Sequence, residues 1–270
     1  RLQGDWSSDV CSSDLRGLGR PDEAASAYTQ ALRFAPGQAS VWEGWGDLAL
    51  SGGNVEQAAE RYRVAVRLAP EVDGLRRKLA HALALSGDGA AAGRELAAVR
   101  ESGQADDARA WNNVGIGEEK AGRYREAEQA YRKALVIDPG LPEAWNNLGV
   151  VLRRSGRDGE AGKAFEKAIE LNPKATATTL MLAEVRLRAG RSVEAGELAS
   201  RACDAPDAQA AACRLSGAIA SGQREWERAE AAYQRATTLD GQLADDWVGL
   251  GQARVNRGKA QQAAEALQRA

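Results

Sequence analysis

Apolar residues along this chain recur at i, i+3, i+4 and i+7, the spacing of one face of an α-helix, and these stripes come in pairs. The first stripe of a pair often opens on Trp. Trp111-Asn112-Asn113-Val114-Gly115 returns as Trp145-Asn146-Asn147-Leu148-Gly149, 34 residues later, and Asp138-Pro139 returns as Asn172-Pro173 at the same offset. Two coincidences at one spacing predict a repeating unit of 34 residues, and a fixed period of that size decides a fold before local propensity does.

With Ala108 as position 1, steps of 34 place Trp at position 4 (Trp42, Trp111, Trp145, Trp247) and Gly at position 8 (Gly46, Gly115, Gly149, Gly217, Gly251). Position 24 is aromatic at Tyr28, Tyr62, Tyr131, Phe165 and Tyr233, and Ala recurs at positions 20 and 27. Positions 4, 7, 8 and 11 share one face of a first helix, and 20, 24 and 27 make the matching stripe on a second. Facing each other, the small residues let the two backbones close in while the large ones fill what is left. Gly at position 15, as in Gly53 and Gly122, suits the left-handed turn that ends the first helix, and Pro at position 32 (Pro36, Pro70, Pro139, Pro173) stops the second.

This arrangement resembles the tetratricopeptide repeat. The resemblance implies an all-α, right-handed superhelical solenoid of about seven to eight helix-turn-helix repeats, and work that consists of holding other proteins. The expected repeats are residues 16–38 (partial), 39–72, 73–107, 108–141, 142–175, 176–209, 210–243 and 244–270 (partial). Two are degenerate, with Arg76 and Leu96 in the third and Thr179 and Ala199 in the sixth at the Trp and aromatic positions, so the rod is expected to be thinner or softer there. Repeat seven carries Arg224 at its turn and Gly241 in place of Pro, which puts its first turn in question. Residues 5–15, Asp-Trp-Ser-Ser-Asp-Val-Cys-Ser-Ser-Asp-Leu, look like a translated sequencing adapter, and residues 1–15 are expected to be non-native. The chain stops at Ala270 inside a second helix, which suggests a piece of a longer gene.

Composition changes the picture little. A formal net charge of -2 leaves no global field to attract nucleic acid or an acidic membrane surface, and no apolar run reaches the roughly 20 residues of a bilayer span. Neither a phosphate-cradling GxxxxGK[ST] loop nor a GxSxG elbow occurs, so neither a cofactor nor catalysis is expected. The single histidine, His81, lacks Cys or carboxylate neighbours at metal-ligand spacing and reads as a solvated surface residue. Cys203 and Cys213 are expected to be two buried free thiols, with a disulfide as the alternative in an exported protein.

In the family resembled, first-helix positions 2, 5, 6, 9, 12 and 13 line a concave groove. Those positions hold Arg77, Lys78 and His81 in repeat three, Arg109, Asn112, Asn113, Glu119 and Lys120 in repeat four, and Glu143, Asn146, Asn147, Arg153 and Arg154 in repeat five. Asn offers a donor and an acceptor together, so Asn113 and Asn147 suit the backbone of an extended peptide, with the cations holding acidic side chains; the alternative is Asn as a tolerated helix residue. The pair resembles the asparagine ladder of protein O-linked sugar transferase arms, but has two rungs only. Lys at position 5 never accompanies Asn at position 9, so the clamp of chaperone-tail-binding relatives is not expected. The expected function is a scaffold for a protein or peptide partner, bacterial by its heavy Ala, Arg and Gly usage, in pilus, secretion or envelope assembly. A recruiting arm of a larger enzyme is the rival, self-assembly a second one, and the compartment and oligomeric state stay open.

Overall fold

A computed structural model describes residues 21–99 and 105–270; the expectations for residues 1–15 and for the first helix of repeat one lie outside the described residues. Fifteen α-helices and no strand occur among the described residues. They are α1 (Pro21–Phe34), α2 (Ala39–Ser51), α3 (Val55–Leu68), α4 (Asp73–Leu85), α5 (Gly89–Ala97), α6 (Ala105–Lys120), α7 (Tyr124–Ile137), α8 (Pro142–Arg154), α9 (Asp158–Leu171), α10 (Thr176–Arg188), α11 (Ser192–Asp204), α12 (Ala210–Gly222), α13 (Trp226–Leu239), α14 (Ala244–Asn256) and α15 (Ala260–Leu267). First helices begin at 39, 73, 142, 176, 210 and 244, so the period of the apolar pattern is the period of the backbone.

The chain divides into two compact units, with the boundary between Asn147 and Leu148, inside α8. In the first unit each helix from α1 to α7 packs on the next, and the first helices α4 and α6 of successive repeats also touch directly. In the second, α9 to α15 pack in the same sequential manner, and α12 touches α14.

The core of a repeat is an aromatic ring laid across a bare stretch of helix. Tyr62, Tyr131 and Phe165 are fully buried, each worth about 1.5–3 kcal/mol for the apolar surface taken from water. A Cβ on Gly46 would lie 2.5 Å from Tyr62 Cε1, and one on Gly149 would lie 2.5 Å from Phe165 Cε1. Only hydrogen at position 8 leaves room for the ring.

The tryptophans do more than fill space. Trp42, Trp111, Trp145 and Trp247 are half-buried. Trp42 Nε1 donates to the Pro36 carbonyl at 3.2 Å, Trp145 to Pro139 at 2.8 Å and Trp247 to Gly241 at 2.9 Å, which ties a first helix to the turn before it. The bond of Trp247 uses the carbonyl of Gly241, so that turn closes without Pro.

Turns after the first helices place Gly53, Gly87, Gly122, Gly156, Gly190 and Gly258 at φ between 73° and 86°. Arg224 takes the same left-handed conformation, φ 61°, and the backbone bonds around it match those around Gly190. The turn that was in question in repeat seven therefore forms, at a steric cost of about 1–2 kcal/mol for a residue with a Cβ. In repeat three, α5 has nine residues, and a cavity of about 240 Å³ opens where its Gly93 and Ala97 face Trp111 and Ala130. Repeat six shows how small residues can still pack: Thr179 and Ala199 are both buried, and Thr179 Oγ1 donates to the Ala175 carbonyl.

One expectation is overturned in the second unit. Cys203 near the end of α11 and Cys213 in α12 are joined as a disulfide, not held as free thiols. The turn between the helices brings their Cα atoms to 4.6 Å, within the range that a disulfide spans.

Candidate peptide-binding face

In the first unit the first helices of the repeats, α2, α4, α6 and the opening of α8, carry a line of polar side chains that bond from one repeat to the next. Arg77 on α4 donates through Nε to the buried Asp107 at 2.5 Å. Lys78 sits between two carboxylates of α2, 2.7 Å from Glu43 and 2.8 Å from Asp47, and the Tyr62 hydroxyl donates to Asp47 at 2.7 Å. Burial pushes the Lys78 ammonium down, but the Asp47 and Glu43 carboxylates outweigh it and hold the group above its ordinary range.

Further along, Asn113 Nδ2 lies 3.0 Å from His81 Nδ1. The structure thus corrects the reading of His81 as a solvated surface residue: it is half-buried and partnered, and burial lowers its pKa from the usual imidazole value. Asn147 Nδ2 donates to Asn112 Oδ1 at 3.0 Å, and Asn146 Nδ2 donates to Asn147 Oδ1 at 3.4 Å. The Tyr131 hydroxyl donates to Glu119 at 3.2 Å, and burial followed by that carboxylate raises the phenol far above its ordinary range. Arg109 and Lys120 are exposed on α6, and Glu143 is exposed on α8.

Both asparagines at position 6 retain hydrogen-bonding capacity. An amide has two N–H donors and an oxygen with two lone pairs. Asn113 uses one N–H on His81, and Asn147 uses one N–H on Asn112 and one lone pair for Asn146, so each keeps a donor and an acceptor.

Arg153 and Arg154 belong to the second unit. Arg153 pairs with Glu184 of α10, and Arg154 is exposed. The strongest pair there is Arg214 on α12 with Asp246 on α14: Nε donates to Oδ1 at 2.6 Å and Nη2 to Oδ2 at 2.8 Å, and the carboxylate is fully buried. Glu43, Asp47, Asp107, Glu184 and Asp246 were not picked out from the sequence. A signal exists: their separations from Lys78, Arg77, Arg153 and Arg214 run from 30 to 35 residues, so an opposite charge about one repeat away marks the pair. Among the described residues, no helix is long and apolar enough to cross a membrane.

Sequence models of known families match most of this helical pattern. Those described as tetratricopeptide repeat match residues 12–73, 142–175 and 159–211, and one described as TPR repeat matches 120–156. A search of curated proteins finds no match. Among solved structures, the C-terminal part of a TPR repeat-containing protein from Cytophaga hutchinsonii is similar at TM-score 0.73 and 15% identity, over 90% of this chain and 99% of that one. Pseudomonas aeruginosa pilF is similar at TM-score 0.58 and 22% identity, over 77% and 94%. MamA from Desulfovibrio magneticus gives TM-score 0.52 and 23% identity, over 60% and 91%. At these identities the likeness is one of fold.

Proposed function

Because the chain belongs to the tetratricopeptide-repeat family, we propose that it is a protein-interaction scaffold whose first unit holds an extended segment of a partner on α4, α6 and the opening of α8. The observation that carries this reading is the pair Asn113 and Asn147, each left with one donor and one acceptor after the network around it is satisfied. A peptide unit offers the complementary acceptor and donor, so two such rungs would hold backbone with little regard to side chains.

Charge plays a smaller part than cations at groove positions would suggest. Lys78 is matched by Glu43 and Asp47, and Arg77 by Asp107. Exposed Lys120 then supplies a preference for acidic side chains at the rim, screened at physiological salt. Arg153 and Arg154 would act on the second unit's own face. Catalysis has no part in this reading.

The setting we propose is an exported one, in pilus, secretion or envelope assembly. The Cys203–Cys213 disulfide supports it, because such bonds persist in oxidising compartments. The binding reading is tested with a peptide selected from a displayed random library on the wild-type chain. Replacing Asn113 and Asn147 with Ala should weaken that peptide by about 1–3 kcal/mol, measured at a temperature where circular dichroism shows both chains fully folded. Equal affinity for the double variant overturns the assignment.

A further inference from the structure

The bond between Asn113 and His81 joins a titrating ring to one rung of the proposed site. We propose that His81 is a positioning residue which sets the orientation of the Asn113 amide, so that protonation of the ring turns the amide over and weakens peptide binding. This rests on the reading of Asn113 as a peptide-binding rung.

Asn113 Nδ2 can only donate, and at 3.0 Å from His81 Nδ1 it requires that nitrogen to accept. The ring is therefore neutral with its proton on Nε2, and Asn113 keeps its Oδ1 and one N–H for a ligand. When Nδ1 gains a proton it becomes a donor, and the amide can meet it only with Oδ1. Turning by half a circle hands the carbonyl oxygen to the imidazolium and leaves two N–H groups in the groove. The oxygen keeps a second lone pair, but it now lies against the ring, and the groove side where a peptide N–H would meet it presents only donors.

Charges around α4 do not prevent this. On α4 itself, Arg77 is bound to Asp107 of α6 and Lys78 to Glu43 and Asp47 of α2. Tyr62 of α3 donates to Asp47, Tyr131 of α7 to Glu119 of α6, and Glu95 of α5 is paired with Arg76. With these groups matched among themselves, the Asn113 amide is the partner the structure gives the ring. Burial lowers the His81 pKa, so the turn comes on acidification below the ordinary imidazole value of about 6.5.

His81 is the one histidine of the sequence, so its ring signals in nitrogen-edited NMR are assigned without ambiguity. In the ligand-free chain at about pH 8, an unprotonated Nδ1 is expected, and the Asn113 side-chain amide should shift with the ring's own midpoint as pH falls. A library-selected peptide without ionisable side chains should bind about tenfold more weakly below the ring's own measured midpoint than at about pH 8, the worth of one hydrogen bond, and less than about twofold more weakly in His81→Gln. An Asn113 amide that stays still while His81 titrates, or the same pH dependence in both chains, overturns the proposal. Failure of the binding reading looks different: the peptide then binds equally to the Asn113 and Asn147 alanine variant, whatever the ligand-free titration shows.

Discussion

Gly149 and Gly159 lie ten residues apart in the second unit, on consecutive helices, and replacing each by Ala should change stability in opposite directions. Glycine inside a helix costs about 0.5–1 kcal/mol relative to alanine, through the backbone freedom it loses on folding. At Gly159 an added Cβ meets nothing within 4 Å, so Gly159→Ala should stabilise by about 0.5–1 kcal/mol. At Gly149 the same atom would sit 2.5, 2.7 and 3.0 Å from Cε1, Cδ1 and Cζ of Phe165. That ring is fully buried, so it has to move by roughly 1 Å against close-packed neighbours, which costs about 2–3 kcal/mol. After subtracting the helix gain, Gly149→Ala should destabilise by about 1–2 kcal/mol. Urea unfolding followed by far-UV circular dichroism measures both. Phe165→Leu should cost less in the Gly149→Ala background than alone, with a coupling of about 1 kcal/mol. If both alanine variants are stabilised alike, the argument that position 8 exists to seat the ring is wrong.

Other consequences are equally open to measurement. Arg214→Met leaves the fully buried Asp246 carboxylate without its two donors and should cost about 3 kcal/mol, at the lower end for a broken buried pair because the arginine is partly exposed; adding Asp246→Leu should recover most of it in chemical denaturation. Arg224→Gly removes the left-handed strain at a residue with a Cβ, so its unfolding free energy in urea should rise by up to about 1 kcal/mol after the extra freedom of glycine in the unfolded chain is counted. For Glu230, burial pushes the carboxyl up, but hydrogen bonds from Lys259, Arg257 and Arg254 outweigh it and the net shift is downward. A lowered folded pKa means stability that is present above the unfolded value of about 4.3 and is lost as pH falls through the folded one. Glu230→Gln should therefore be less stable near neutrality and show a shallower loss of melting temperature on acidification.

What could be read from the chain alone follows from how local each cause is. Helix starts, the ring-over-glycine contact and the left-handed turns depend on residues within one period, and a 34-residue repeat displays them several times over. Arg224 was harder because propensity argues against a Cβ at positive φ, while the packing of α12 against α13 demands that turn whatever residue stands there. The groove network was hidden for a different reason. Lys78 with Glu43 and Asp47, Arg77 with Asp107, and His81 with Asn113 join neighbouring repeats, so no single window of sequence contains both partners. A list of groove positions names side chains without saying which of them satisfy one another. The Cys203–Cys213 bond was ambiguous because a separation of ten residues across a turn fits two thiols as well as a disulfide until the Cα distance is known.

The central claim is that a partner lies along the first helices of the repeats in the first unit, and photo-crosslinking addresses it directly. A library-selected peptide carrying a diazirine should, on irradiation, label residues of α4, α6 and the opening of α8, with Asn113 and Asn147 at the centre of the labelled stretch. Labelling confined to the second helices α5 and α7, around the cavity beside Trp111, would contradict the account.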